Sequence, residues 1–381
     1  METSTTSTLR ASGVTTRHVA ARAGVAQASV SAVLNGGTGR SVSPATRQRI
    51  LEAAEELGYR RNHAAGAMRT GNTHMLGWIG GELGEEQVGK MLSGALEAAD
   101  AQGYTLKILR LGDLGNAQQV IRRSSELRLM GVLALHLPFA TQSELHHEAK
   151  RYGYPLVLVD GRAGESEIPC IASDDEGGIQ AGVDHLVALG HRRIAFISGG
   201  EEKSALYSAR KDAFLSAMLG HGLSVPPDLT GHGEFSSRAP SQKAAHELLC
   251  LSPERRPTAI FCSGDLIALA TMQVARLLCV SVPDELSIVG FANMSASEFV
   301  SPPLTTIEQP FTDIGRAAVR LLLEVVEAQL KSATNGLGGT LPKPPGEKPA
   351  FHSMRLPTRL IERASTAPAP QFEPVKAAFQ P

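Results

Sequence analysis

A chain of 381 residues, 42% hydrophobic and 20% charged, exceeds what one core usually organises and is too apolar to be disordered throughout, so two or three domains are expected. Its 37 basic and 38 acidic residues leave a formal charge of −1, which as an average argues against a polybasic nucleic-acid binder. The average hides an asymmetry: residues 1–72 hold nine arginines, no lysine and four acidic residues, a formal +5, against −6 for the other 309. Four cysteines (Cys170, Cys250, Cys262, Cys279) show no CxxC pairing and no histidine at zinc spacing, so neither a disulfide framework nor a metal site is expected. The N-terminus METSTTSTLRASG has no apolar core and no run of about 18 apolar residues follows, so the chain reads as cytoplasmic, with no membrane segment.

After a polar, disordered start over 1–13, Thr16 can cap a short helix with Val19, Ala20 and Ala23 on one face, stopped by Gly24. Residues 27–34 form a second helix with Val30, Val33 and Leu34 inward, ended by Asn35-Gly36-Gly37. Ser43 then caps a third, with Pro44 at its first position, Ile50, Ala53, Ala54 and Leu57 at helical spacing, and Gly58 as the stop.

From Met75 short apolar runs alternate with amphipathic stretches: MLGWIG, helix 86–102, YTLKILR, helix 116–129, GVLALHL, helix 141–152, PLVLVD, helix 176–189. The alternation resumes with RIAFISG, helix 208–221, TAIFCSG, helix 265–279 and LSIVGFA. This pattern specifies βαβ units and parallel sheets covered on both faces, and about ten strands exceed one usual sheet, so two doubly wound lobes are expected. The Gly/Pro-rich stretch 331–349 reads as a loop, and 367–381 as a disordered tail without heptad leucines.

Ala20, Gly24 and Val30 match the helix-turn-helix spacing, which needs a small residue and a glycine where two helices cross closely, then an apolar residue inside the second helix. A helical hairpin of this kind occurs in many proteins that bind nothing. The arginine-rich local charge tips the reading toward DNA, because it supplies phosphate attraction.

The segments VTTRHVAARAGVAQASVSAVLNG and VSPATRQRILEAAEELGYRRNHAAGAMRTGNT resemble the headpiece and hinge of the lactose/galactose repressor family of bacterial transcription regulators. DHLVALGHRRIAFISG, PTAIFCSGDLIALATMQVARLLCVSVPDELSIVGF, PPLTTIEQPFTDIG and LPTRLIER continue the resemblance in order over roughly residues 14–366. It implies an α/β fold: a helix-turn-helix three-helix headpiece (14–60), a hinge helix and linker (61–73), and two doubly wound, periplasmic-binding-protein-like lobes (74–366). The first lobe would take 74–173 and 309–338, the second 174–308 and 339–366. The implied function is a DNA-binding repressor, a homodimer on a palindromic operator, controlled by a small-molecule effector of the sugar type. It would carry no cofactor and no enzymatic activity.

By that resemblance the start of the second helix reads base edges in the major groove, putting Gln27, Ala28 and Ala32 there, with Thr16, Ser29, Ser31 and Asn35 as further DNA contacts. Gln27 can contact adenine, whereas Ala32 offers only apolar contact to a thymine methyl, and Ala26 supplies no side-chain cap. For Ser29 and Ser31 an ordinary solvated face is the rival reading. In the hinge, Asn62, His63, Ala65, Met68 and Arg69 would meet DNA, Met68 as the apolar wedge in the minor groove and Arg69 beside it. Met68 as filler at an interface is its rival, and Arg61 replaces the proline usual before the hinge.

The effector positions carried over are Asp160, Ser173, Arg210, Phe235, Gly264, Asp265, Ala292, Asn293 and Gln309. Arg210 suits a carboxylate, a phosphate or vicinal hydroxyls, or else forms a surface ion pair. Gly264 and Ala292 stand where sugar-binding relatives carry polar residues, so the pocket suits a less hydroxylated or more anionic ligand, with Asn293 as a substitute, or it is no longer a tight sugar site. Trp78, the sole tryptophan, falls on the first strand near the cleft. Two alternatives stay open. A two-lobed enzyme would use Asp174-Asp175-Glu176, though a carboxylate run capping a helix is the plainer reading and no GxSxG or P-loop is present. A transport-type binding protein would need no arginine-rich headpiece.

Overall fold

The computed structural model describes residues 14–35, 42–59, 73–80, 83–109, 116–135, 139–160, 168–199, 205–235, 237–335 and 353–370. The chain divides into two units, Met1–Thr73 and His74–Pro381.

In the first unit three helices, α1 (Thr16–Ala23), α2 (Gln27–Asn35) and α3 (Pro44–Glu56), enclose a core in which Val19, Val30 and Ile50 are fully buried. Ala20, Ala23, Val33, Ala53 and Ala54 fill the space between them, which is what small residues at a close crossing provide. Thr15, one residue before the expected Thr16, is the N-cap of α1, and its N–H donates to His18 Nδ1 at 3.3 Å. Gly24 takes the left-handed conformation (φ +65°) that turns α1 into α2. At α3 the cap is the expected one: Ser43 Oγ accepts from the Thr46 N–H, with Pro44 at the first position. The hinge segment read at 61–73 lies outside the described residues except for Thr73, and so does the 1–13 start.

The second unit holds two six-stranded sheets. In the first, β1 (Met75–Gly80), β2 (Thr105–Leu109), β3 (Val132–Leu135), β4 (Leu156–Val159), β5 (Cys170–Ser173) and β11 (Met354–Leu356) are ordered β11-β5-β4-β3-β1-β2, all parallel. In the second, β6 (Ile194–Ser198), β7 (Thr230–His232), β8 (Ala259–Cys262), β9 (Ser287–Ala292), β10 (Thr305–Glu308) and β12 (Arg359–Ile361) are ordered β12-β10-β9-β8-β6-β7. Only β12 runs antiparallel there.

Helices α4 (Glu86–Ala101), α5 (Ala117–Glu126), α6 (Phe139–Tyr152) and α12 (Phe311–Asn335) belong to the first lobe; α7 (Asp175–Ala188), α8 (Ala205–Gly220), α9 (Arg238–Leu249), α10 (Asp265–Leu277) and the short α11 (Ala296–Phe299) belong to the second. Each sheet has a buried apolar cluster on both faces, the doubly wound arrangement that the near-continuous apolar strands require. α4 and α12 approach to backbone contact because each offers a glycine there: a Cβ on Gly94 would strike the Thr312 carbonyl, and one on Gly315 the Met91 carbonyl. In the second lobe Phe196, Phe214 and Phe261 form one aromatic cluster, with the first two stacked at 4.8 Å.

The chain passes between lobes after Ser173, after Glu308 and between Leu356 and Arg359, each time leaving a strand at its carboxyl end. The carboxyl edges of the two sheets therefore face one another across a cleft, where open α/β sheets bind ligands. The structure corrects three expectations for the return segment. Residues 354–356 extend the first sheet beside β5 rather than joining the second lobe, a three-residue strand too short to carry a period-2 signal. α12 continues to Asn335, through the start of the stretch read as a loop. Residues 367–370 are docked, not disordered: the Ala367 carbonyl lies 3.0 Å from His191 Nε2 and the Ala369 N–H donates to the Leu189 carbonyl at 2.8 Å.

Candidate functional site

On the headpiece, Gln27 and Ala28 open α2 fully exposed, with Ser29, Ser31 and Ala32 half-buried behind them. The side chain of Asn35 lies outside the description, as do Asn62, His63, Ala65, Met68 and Arg69. Gln27 reaches back to α1, its Nε2 donating to Thr16 Oγ1 at 2.9 Å, so the first turns of the two helices present one joined polar surface. α2 starts without a side-chain cap; the Ala26 carbonyl receives the Ser29 and Val30 N–H groups. Of the arginines, Arg22 is tied to Glu56 at 2.7 Å, an exposed pair of little energetic weight, while Arg17, Arg47 and Arg49 are exposed.

In the cleft the wall from the first lobe carries Asp160 and Ser173 at the ends of β4 and β5, both buried. Asp160 sits at φ +52°, its N–H donating to the Ile171 carbonyl at 2.7 Å. Ser173 Oγ donates to Asp175 Oδ1 at 2.6 Å, and Gln309 Nε2, arriving from the second crossing, reaches Ser173 Oγ at 2.7 Å and Asp175 Oδ1 at 3.2 Å. From α8, Arg210 Nε donates to Asp175 Oδ2 at 2.6 Å and Nη1 to the Ser263 carbonyl at 2.8 Å, with its guanidinium 4.3 Å over the Phe291 ring. Four residues from three chain segments thus form one hydrogen-bonded chain, and Arg210 is an interior ion pair, its side chain 8% exposed, not a surface one.

Asp175 is the hinge of this network and was read only as part of a helix-capping run. Asp174 alone does the capping, its Oδ1 accepting from the Gly177 N–H at 3.1 Å, which leaves the next carboxylate free to turn inward. A second acidic residue beyond the one a cap needs was the signal in the sequence.

Two carried-over residues have other tasks. Asp265, 1% exposed, accepts from Thr306 Oγ1 (2.5 Å), Ser297 Oγ (2.7 Å) and the Met294 N–H (2.7 Å). Burial pushes its carboxyl above the ordinary value, while the bonds from Thr306, Met294 and Ser297 pull it down. It holds the loop after β9. Asn293 is likewise engaged, its Nδ2 donating to Glu308 at 2.9 Å and its Oδ1 accepting from Arg363 at 2.8 Å. Ala292 (φ +124°) packs against the core of the first lobe.

Gly264 also has a positive role. A Cβ there would collide with the Phe235 ring, and so would one on Gly199, so the two glycines form the slot in which that ring lies. Beside it the fully buried Ser263 Oγ has no hydrogen-bond partner. Trp78 is fully buried on the side of β1 that faces α4 and α12, its Nε1 also without a partner. Among the described residues no group of three or more His, Cys, Asp or Glu could hold a metal ion, and no helix is long and apolar enough to cross a membrane.

Residues 15–62 match the family of bacterial regulatory proteins of the lacI type, and 183–366 match a periplasmic binding protein-like domain. The transcriptional regulator MalR of Streptomyces coelicolor is 33% identical over 363 residues, 92% of this chain and 96% of that protein. The chain belongs to the LacI family. The transcriptional repressor PurR of Aliivibrio fischeri is 31% identical over 314 residues, 82% of this chain and 92% of its own. Among solved structures the Lac repressor dimer bound to operator and the anti-inducer ONPF shares the fold, with a TM-score of 0.72 at 23% identity over 93% of this chain and 99% of that one. As a LacI-family member the chain is a DNA-binding transcriptional regulator and not an enzyme. Regulators of this family bind DNA and small-molecule effectors and act in the cytoplasm.

Proposed function

We propose that this chain is a homodimeric repressor of a palindromic operator, released or retained by an uncharged, hydroxyl-bearing small molecule of the sugar type bound in the cleft. The observation that carries the ligand class is the Arg210–Asp175 pair. An arginine facing a free cleft would favour a carboxylate or phosphate; one already matched by a carboxylate at 2.6 Å leaves no unpaired cation there for an anion. Asp160, Ser173 and Gln309 suit hydroxyls at the polar end. Phe235 in its glycine slot suits the C–H face of a ring, and Ser263 Oγ is a further group for a ligand hydroxyl. A planar heterocycle on Phe235 is the second reading, favoured by that aromatic ring.

On the DNA side Gln27 is the main base reader, with Thr16, Ser29 and Ser31 on backbone or bases and Ala28 and Ala32 in apolar contact. The segment 61–73 supplies a hinge helix and a linker, the helix ordered by DNA, with Met68 wedging into the minor groove and Asn62, His63, Ala65 and Arg69 lining it. Effector binding rotates one lobe on the other and so orders or releases the hinge helices, with the regulator associated with the nucleoid when bound. Selection of duplexes from a random pool by the full chain tests this: palindromes are expected, and Met68→Gly should weaken binding to them. Enrichment without two-fold symmetry, or unchanged affinity for Met68→Gly, would contradict it.

A further inference from the structure

Glu86 opens α4 after β1 of the first lobe, and Ser295 follows β9 of the second; 209 residues apart in sequence, they meet across the cleft. The Ser295 N–H donates to Glu86 Oε1 and Oε2 at 3.0 and 3.1 Å, and Ser295 Oγ donates to Oε1 at 2.8 Å. Lys90, one turn on in α4, places its ammonium 2.7 Å from the same carboxylate. A carboxylate in the first turn of a helix is favoured by the helix dipole, and a charged acceptor makes each of these bonds stronger than a neutral one would.

The two partners differ in how they are held. Ser295 lies on a loop with little freedom: Ala292 and Asn293 are successive non-glycine residues at positive φ (+124° and +48°), a conformation that persists only where its surroundings over-determine it. Those surroundings are on either side of Ser295, where Asp265 takes both the Met294 N–H and the Ser297 hydroxyl, and the Asn293 amide is clamped by Glu308 and Arg363. Glu86 instead projects from a helix end with its side chain 29% exposed. One side of the contact is a fixed pair of donors, the other a single acceptor on the opposite lobe.

Position gives the contact leverage. In the first sheet β1 stands three places from β5, where the chain crosses, which puts it on the order of 14 Å from that crossing at the usual strand spacing. In the second sheet β9 lies beside β10, the strand of another crossing, so the lever arm belongs to the first lobe. The network of Ser173, Asp175, Gln309 and Arg210 lies at the crossings and moves little if the lobes turn about them. A contact set off from them is made when the lobes are close and broken when they part.

We infer that Glu86 and Ser295 are positioning residues of the effector cleft, a latch that holds the two lobes in their close arrangement without ligand and sets how readily they part. Burial alone would raise the Glu86 carboxyl, yet the hydrogen bonds from Lys90 and Ser295 outweigh it and keep the group below its ordinary value, as a latch that is ionised requires. The inference rests on the cleft being the effector site, but the latch itself is read without any ligand.

The test is pulsed dipolar spectroscopy on the full chain with Cys250 and Cys279, the two exposed cysteines, changed to serine and nitroxides at Lys107 and Lys243, one on each lobe and both exposed. Spin dilution with unlabelled chain removes distances between subunits. A single short distance is expected for the parent. Ser295→Ala and Glu86→Gln should each add a longer component, shifting the open-to-close ratio about tenfold. Lys90→Met, which removes only the contact within α4, should shift it less. The pair Glu86→Cys and Ser295→Cys, oxidised to a disulfide, should keep the short distance alone. Unchanged distributions in Ser295→Ala and Glu86→Gln, or an equal shift in Lys90→Met, would overturn the latch. If no neutral ligand in a panel of ribose, cellobiose and free purine bases binds, the effector reading falls while the distances still judge the latch.

Discussion

On the headpiece Gln27 and Ala28 stand open at the start of α2 and Arg17, Arg47 and Arg49 extend into solvent, whereas in the cleft Arg210, Asp175, Ser173 and Gln309 are already bonded to one another. The difference follows from what each surface meets. A polyanion is held by exposed charge whose counterions it releases, and such charge costs nothing to leave in water. A small ligand enclosed between lobes meets groups that are buried before it arrives, and buried polar groups need partners at all times. The cleft therefore presents a buried, pre-bonded wall, and the headpiece a charged, open one.

Substitutions should break the two surfaces differently. Arg210→Met removes one half of a buried pair and leaves Asp175 uncompensated; a loss of about 3–5 kcal/mol of stability is expected in urea unfolding, because breaking such a pair strands a charge. Asp265→Asn places amide hydrogens among three donors in a fully buried site, and about 1–3 kcal/mol should be lost there, with the loop carrying Ser295 loosened in hydrogen exchange. Gly264→Asn should abolish ligand binding by driving Phe235 from its slot, at an overpacking cost of about 1–3 kcal/mol in the same unfolding experiment. Arg17→Ala, by contrast, should leave stability within about 0.5 kcal/mol and reduce the slope of operator affinity against salt by about one.

The smallest expected effect is one of pH. Burial first, with His185 nearby, lowers the His191 imidazole below its ordinary 6.5, while the Ala367 carbonyl opposes the shift. Its folded-state value is thus depressed, so the unfolded chain binds the proton first. Stability should be full above about 6.5 and fall as pH drops below it. Melting temperatures from pH 7.5 to 5 should decline less steeply in His191→Gln.

Much of the fold was legible because its signals are local. Ser43-Pro44 and Gly24 mark helix ends through their own conformational preferences, and the apolar strands announce a sheet buried on both faces. Even so, the α1 cap fell one residue early at Thr15, since Thr15 and Thr16 are the same residue type side by side. Strands of three or four residues, such as 354–356, carry too little period to read, and their lobe is decided by pairing with β5, 183 residues distant in the nearby Ser353–Cys170 contact. The cleft was legible in its members and not in their roles. Asp265 and Asn293 were carried over as ligand positions, yet which way each carboxyl or amide turns depends on Thr306, Ser297, Glu308 and Arg363, brought from other segments of the chain. Gly264 looked like a polar group missing; only the Phe235 ring beside it shows what the missing side chain makes room for. The Glu86–Ser295 contact has no sequence signal at all, being a pairing of an ordinary helix-start glutamate with a loop serine.

The most direct test of the central claim, a cleft whose arginine is already paired and which controls operator affinity, is operator binding by the full chain, followed by fluorescence anisotropy of a selected palindrome, across matched neutral and anionic ligands. Ribose against ribose 5-phosphate and glucose against gluconate are suitable pairs. A neutral member is expected to shift the operator Kd and its anionic counterpart to leave it unchanged. A shift produced by the phosphate or the carboxylate, with none from any neutral partner, would contradict it.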